Sequence, residues 1–225
     1  MTVKLIVFSR YPRLGRVKTR LSKVLTAEEC LNLHWAMLTD TLDRMALLQW
    51  DSHLFLGDCS IEELSQFQHK IEGLSKWRLH LQEGSDLGER MWHAYRKVAK
   101  GSKGVIFLGS DTPSVPLSYL RQALKKLCFF SVVIGPSEDG GYYLLALSQA
   151  RKNIFKNISW GTPNVLKQTK CRLNTNEYCL LPQWYDVDDA LDLQRLKGEL
   201  DENLGGPPSQ TKLFLRQVQL NKSSF

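Results

Sequence analysis

The chain has 225 residues, 43% hydrophobic and 24% charged. A chain of this length can bury a sizeable core without a disulfide or metal staple, and the balance excludes a disordered, collagen-like or coiled-coil protein. The formal charge is +7, from 30 Lys and Arg against 23 Asp and Glu. Residues 1 to 27 hold Lys4, Arg10, Arg13, Arg16, Lys18, Arg20 and Lys23 and no acid; the remaining chain balances at 23 of each sign. A compact basic loop points to a phosphate-rich small ligand. A nucleic-acid coat usually spreads its excess over a face. No apolar run approaches the roughly 20 residues of a membrane span, and Leu5 to Phe8, followed by Arg10, is too short for a signal-peptide core. The expectation is a cytosolic protein that binds neither membrane nor nucleic acid. Five cysteines, an odd number without a CxxC pair, read as free thiols.

The elements alternate. Val3 to Phe8 reads as a buried first strand, followed by the basic loop with breakers Pro12 and Gly15. Thr26-x-x-Glu29 is a capping-box pattern opening a long helix with Leu31, Leu38, Leu42, Met45 and Leu48 on its apolar face. A strand at His53 to Leu56, a helix at Ile61 to Ile71 and a strand at Trp77 to Leu81 come next. Then follow a helix at Leu87 to Val98, a strand at Val105 to Leu108, and a helix opened by Pro116 and running through Leu127. Val132 to Ile134 and Tyr142 to Leu147 are two strands joined directly by a turn. Thr162-Pro163 reads as an N-cap and first-turn proline, Tyr178 to Leu181 as a late strand, and Asp188 or Asp189 begins a last long helix ending near Leu200. This order predicts an α/β sandwich with a mixed, mostly parallel sheet in a single domain over residues 1–202. Residues 203–225 read as a linker with Gly205-Gly206-Pro207-Pro208 and a tail, in which Lys212 to Leu220 is a short helix or strand.

In open α/β sheets ligands gather at the carboxyl ends of strands, which places Arg16, Lys18 and Arg20 at the mouth of a site. Arg forks and a Lys point charge suit phosphate oxygens, and Gly15 permits close backbone approach. Neither GxxxxGK[ST] nor a GxGxxG after the first strand is present, which disfavours a P-loop and an ordinary dinucleotide fold. Asp111 follows the most apolar strand and is a candidate ligand for Mg²⁺ bridging phosphates, or a helix cap. Asp139-Gly140-Gly141-Tyr142-Tyr143 follows a second strand mouth, and alone it is an ordinary hairpin signal. Asp186 and Asp188 would share one side of an extended segment, as metal ligands or as acids at a helix start. His34, His53, His69, His80 and His93 show no metal or hydrolase spacing. Gly84-Ser85-Asp86-Leu87-Gly88-Glu89-Arg90 enters a helix, as a cap or an anion site.

Together these blocks carry a resemblance. The run from Phe8 to Leu21, with Ser9, Arg10, Gly15, Arg16, Lys18 and Arg20, resembles the opening signature of bacterial arsenosugar-biosynthesis-type glycosyltransferases. That family is similar to 2-phospholactate guanylyltransferase, within the nucleotide-diphospho-sugar transferases of GT-A fold. Asp86 to Met91, Gly109 to Pro113, Gly135 to Tyr143, and Asp186 to Asp188 with Asp192-Leu193 match in order, so the resemblance covers residues 1 to about 200. Two positions depart: Trp160-Gly161-Thr162 stands where the family often has Trp-Ser-Thr, and the metal block is Gly109-Ser110-Asp111 without a full DxD.

The resemblance implies a Rossmann-like three-layer sandwich and a metal-dependent transferase of an activated nucleotide. Ser9, Arg10, Gly15, Arg16, Lys18, Arg20, Gly88 and Arg90 would hold the nucleotide. Asp111, Asp188 and Asp186 would hold Mg²⁺ or Mn²⁺. Asp111, Asp139 and Lys18 would be catalytic, and Gly140, Gly141, Tyr142 and Thr162 would line the side of a small-molecule acceptor. Glycosyl transfer from a nucleotide-sugar leads. Nucleotidyl transfer from an NTP to a phosphorylated acceptor is the alternative, and a non-catalytic nucleotide-binding protein on the same fold is the rival from another class.

Overall fold

The computed structural model describes residues 2–68, 70, 74–202 and 209–218. Among these residues seven strands form one sheet: β1 (Thr2–Arg10), β2 (Asp51–Gly57), β3 (Trp77–Leu81), β4 (Ser102–Gly109), β5 (Val132–Pro136), β6 (Tyr142–Leu147) and β7 (Tyr178–Leu180), in the order β3-β2-β1-β4-β6-β5-β7. β1, β2, β3 and β4 pair in parallel, as do β5 and β7; β6 runs antiparallel to both β4 and β5. The sheet is therefore mixed and mostly parallel. Because β6 reverses, β5 points the same way as β4. The turn after β5 thus reaches the same end of the sheet as the loops after β1 and β4.

Alternation within the strands builds two cores. Leu5, Val7, Leu54, Leu56, Ile106 and Leu108 face α1 (Ala27–Ala46) and α4 (Leu117–Lys126), meeting Leu38, Leu42, Met45, Leu120 and Ala123. Ile6, Phe55, Val105 and Phe107 face the other way, onto Met91, Ala94, Tyr95 and Val98 of α3 (Leu87–Val98). Helices on both faces of one sheet complete the three-layer sandwich. Each such fully buried side chain contributes roughly 1.5–3 kcal/mol against exposure. A third cluster joins Leu21 and Leu25 after the basic loop to Leu33 and Met37 of α1 and to Tyr185 and Val187. It also takes in Leu193 and Leu196 of α6 (Ala190–Glu202) and Leu215 of α7 (Gln210–Gln217). The main chain of Gln210 and Thr211 donates to the buried Asp40 carboxylate at 2.8 Å each, so α1 caps α7 from a distant part of the chain.

Local signals account for most boundaries. The Thr26–Glu29 capping box is present at α1, and Ser60–Glu63 forms a second at α2 (Ile61–Phe67); such a cap stabilises by about 1 kcal/mol. The linker at 203–208 and the end of the terminal segment at Leu220 lie outside the described residues. Two boundaries differ. α2 stops at Phe67, with Gln68 as its C-cap, short of the expected Ile71. α5 (Val165–Lys170) begins after Asn164, not Thr162. The Thr162 hydroxyl donates to the Ser159 carbonyl at 2.8 Å, which closes a turn one step earlier and leaves no side-chain cap on the helix.

Candidate active site

A cleft of about 490 Å³ opens at the carboxyl ends of β1 and β4. Ser9, Arg10, Lys18, Arg20, His34, Gln82, Arg90, Ser110, Asp111 and Asp188 are among its lining residues. Its centre is Lys18. The basic loop carries Lys18 in the left-handed region (φ 50°), directly before the 3-10 turn Thr19–Lys23. That conformation is uncommon for a residue with a Cβ and marks a tightly determined position. It sends the side chain inward, where it is only 4% exposed. The ammonium lies 2.5 Å from Asp111 Oδ1 and 3.8 Å from Asp188 Oδ1, and donates to the Val187 carbonyl at 2.8 Å. The Val187 main-chain N–H donates to the Asp111 carbonyl at 2.9 Å, which holds the two acidic segments side by side. Arg20 pairs with Asp188 at 3.0 Å from outside.

The carboxylates behave differently. Burial opposes the charge of Asp111, but the neighbouring cations, Lys18 above all, outweigh it and hold the group below its ordinary value. Burial pushes Asp188 up, with Lys18 and Arg20 working against it. Asp186 accepts from the Ser137 hydroxyl. Its burial, reinforced by the charges of Asp111, Asp139 and Asp188, pushes it up to about 7. Four carboxylates thus share a site with Lys18 and Arg20, and Arg10 and Arg90 also line the cleft. Among the described residues no group of three or more His, Cys, Asp or Glu side chains is arranged to hold an ion. Mg²⁺, however, usually takes only one or two protein carboxylates and completes its shell with phosphate and water, so Asp111 and Asp188 with hard oxygen donors fit such an ion.

The floor is a polar network that the sequence did not reveal. His34 on α1 is buried, and its Nε2 lies 3.2 Å from the Arg10 carbonyl and 3.3 Å from Ser9 Oγ. A carbonyl only accepts, so Nε2 carries the proton. Burial lowers the basicity of this ring. The Ser110 hydroxyl donates to Ser9 Oγ at 3.0 Å. Gln82, just past β3, donates its amide to the carbonyls of Ser9 (3.1 Å) and Phe55 (3.0 Å). Both partners are acceptors, which sets the orientation of the amide and ties the ends of β1 and β2.

The structure gathers Ser9, Arg10, Lys18, Arg20, Arg90, Asp111 and Asp188 in the cleft. Arg16 is exposed beside it, its carbonyl accepting from the Arg10 guanidinium at 3.4 Å, and Gly15 occupies the loop at φ +70°. Gly88 sits elsewhere: a Cβ there would be 2.6 Å from the Phe155 carbonyl and press on Trp160, so this glycine serves helix packing. Asp139 is exposed, accepts from the Gly141 main chain at 2.9 Å, and adds its charge to Asp186 and Asp188. Tyr142 turns inward, with its hydroxyl buried and its ring edge-on to Trp160. Thr162 closes the turn described above. Gln82 had one sequence signal, its place directly after a strand; His34 had none.

This fold and cleft define a nucleotide-diphospho-sugar transferase-like α/β protein. The chain belongs to the family described as "Uncharacterized protein conserved in bacteria (DUF2064)", whose pattern matches residues 41–162. It is 31% identical to a crystal structure from Desulfovibrio desulfuricans G20, provisionally named a nucleotide-diphospho-sugar transferase, with a TM-score of 0.88 over 96% of this chain and 95% of that one. It is 26% identical over 211 residues to 2-phospho-L-lactate guanylyltransferase of Methanocaldococcus infernus, covering 92% of this chain and 88% of that protein. The Rv0371c protein of Mycobacterium tuberculosis H37Rv, solved in complex with manganese, shares the fold at 17% identity and a TM-score of 0.55, over 87% of this chain and 98% of that one. No helix among the described residues is long and apolar enough to cross a membrane.

Proposed function

We propose that this chain is a transferase acting on an activated nucleotide bound in the Lys18 cleft. One observation carries the reading: a buried ammonium set between two carboxylates at the strand ends, with Arg10, Arg20 and Arg90 around it. Arg10, Lys18, Arg20 and Arg90 neutralise and orient the phosphates. Asp111 and Asp188 hold Mg²⁺ or Mn²⁺, which when bound neutralises charge on the departing phosphates. Ser9, Ser110 and His34 keep the floor rigid beneath them. Asp139, on the acceptor side with Gly140 and Gly141, is the candidate base.

Glycosyl transfer is the leading chemistry, in line with the name of the Desulfovibrio relative. The acceptor oxygen bonds the anomeric carbon, the carbon–oxygen bond to the diphosphate breaks, the nucleoside diphosphate leaves, and Asp139 takes the acceptor proton. Nucleotidyl transfer is the second reading, favoured by the similarity to the guanylyltransferase over most of the chain. There an acceptor phosphate oxygen bonds the α-phosphorus of an NTP and pyrophosphate leaves, so no base is required.

Thermal stability against a panel of NTPs and nucleotide-sugars, with and without Mg²⁺ or Mn²⁺, tests the proposal. A ligand at about 100 times its Kd adds roughly 2.7 kcal/mol. Metal-dependent stabilisation, lost in Asp111→Asn, is expected. A response to nucleotide-sugars selects glycosyl transfer and one to NTPs selects nucleotidyl transfer. Stabilisation that needs no metal and no Asp111 would favour a non-catalytic nucleotide-binding protein, and no response at all overturns the assignment of the cleft.

A further inference from the structure

A second basic region lies outside the cleft. Between residues 140 and 176 the chain has Arg151, Lys152, Lys156, Lys167, Lys170 and Arg172, and no acid. A charge tally that balances the whole chain beyond residue 27 conceals it. Arg151 pairs with Glu177 at 2.7 Å. The other five have no carboxylate within 4.0 Å among the described residues. Lysines in a last helical turn suit the helix dipole, which accounts for Lys167 and Lys170 on α5. Lys152 and Lys156 line a different hollow with Asp86 and Glu89, and the dipole does not account for the hollow beside α5.

That hollow, of about 410 Å³, is bounded by Gly140, Pro163, Leu166, Lys167, Lys170 and Cys171. The Lys170 ammonium is 5.9 Å above the Tyr178 ring, a contact that restricts where it can point. The hollow is coupled to the candidate active site through Gly140. This residue has φ +89°, and a Cβ on it would run into the Pro163 backbone. Its carbonyl accepts from the Leu166 main chain at 2.9 Å. The Asp139 turn and α5 are therefore one packed unit, and Asp139 is near enough to the cleft for its charge to act on Asp186 and Asp188.

We propose that Lys167 and Lys170 form, with the Gly140 turn, a subsite for an anionic group of the acceptor, a phosphate or carboxylate. The proposal rests on the transferase reading above and names the acceptor class: a small anion-bearing molecule. An acceptor anchored there is registered against Asp139 by the same turn that fixes the lysines.

The test is a ¹H–¹⁵N titration of the full chain with inorganic phosphate and with phosphoglycolate, run beside the nucleotide panel. Saturable shifts are expected at Gly140, Lys167 and Lys170, with affinity at least tenfold weaker in Lys167→Ala/Lys170→Ala. Shifts confined to Lys18, Arg20 and Arg90, or equal affinity in the double variant, overturn the subsite. So does a response at Lys167 and Lys170 to duplex DNA or anionic vesicles but to neither small anion. If the wild type responds to nucleotide while the double variant binds phosphoglycolate normally, the subsite fails and the transferase reading stands. If no nucleotide binds but phosphoglycolate still depends on the two lysines, the transferase reading fails and the anion site stands.

Discussion

Two clusters of ionisable groups sit on the same sheet and meet opposite fates. Near the starts of β1 and β2, Lys4 pairs with Asp51, and His53 Nε2 lies 3.2 Å from Asp51 Oδ1. His53 Nδ1 lies 2.9 Å from His80 Nε2, and the His80 ring stacks on Phe55 at 4.5 Å. Burial lowers both imidazoles to about 4, so they are neutral and share hydrogen bonds without competing charges. At the carboxyl ends of β1 and β4 four carboxylates and four cations crowd together, Asp186 is pushed up to about 7, and a cleft lies open. The first cluster is closed by its own neighbours. The second keeps electrostatic strain where solvent and ligand can relieve it, which is the pattern expected of a functional site.

Lys18→Ala gives the largest effect expected from this contrast. Without the ammonium, Asp111 and Asp188 lose the cation they share, and turnover with the nucleotide class found in the stability panel should fall a hundred- to a thousand-fold, about 3–4 kcal/mol. Lys4→Ala removes a largely enclosed ammonium from the other cluster and should leave that turnover within twofold; a similar loss in both would break the comparison.

The two clusters also oppose each other in pH. Asp186 has a raised folded value, so its contribution to stability is present in acid and is lost as pH rises from about 4 through 7. After discounting for solvent access the loss is roughly 3 kcal/mol. The His53–His80 pair has lowered values, so its contribution is present above about 6.5 and is lost as pH falls through 4, again by roughly 3 kcal/mol for the first proton. Because the two slopes offset each other between pH 4 and 6.5, denaturant midpoints at pH 4, 5.5 and 7 should rise more steeply with pH in Asp186→Asn than in wild type, and fall with pH relative to wild type in His80→Phe. Identical profiles for wild type and variants would remove the electrostatic distinction.

Smaller effects sharpen it further. Gln82→Leu strips donors from two backbone carbonyls at the cleft floor and should cost about 2 kcal/mol in chemical denaturation, at about 1 kcal/mol per hydrogen bond. Lys4→Ala should cost about 1 kcal/mol, since its partner Asp51 retains His53 and Arg78 nearby.

Much of this architecture was legible because it depends on neighbours in sequence. Alternation in Val105 to Leu108 makes a strand with one row on each core, and Asp111 lands at its mouth for that reason. The cap at Thr26 is an interaction over three residues. Other readings failed where a distant partner decides. Gly88 sits at a helix entry like an anion-site glycine, but Phe155 and Trp160 claim the space. Tyr142 follows a glycine pair at a strand mouth, yet the core behind β6 takes its ring. His34 is 24 residues from the carbonyl it contacts and Gln82 is 73 from Ser9, separations over which no local pattern operates.

The bond between Arg20 and Asp188 spans 168 residues. On a ribosome adding about 5–20 residues per second, the basic loop is therefore made roughly ten to thirty seconds before its carboxylate partner. Lys18 is enclosed by Asp111 and by the Val187 carbonyl, so it too waits on later parts of the chain for its partners. The proposed nucleotide site is thus complete only once Asp188 has been made, and recovery of nucleotide binding on dilution from denaturant would report the closing of this long-range contact.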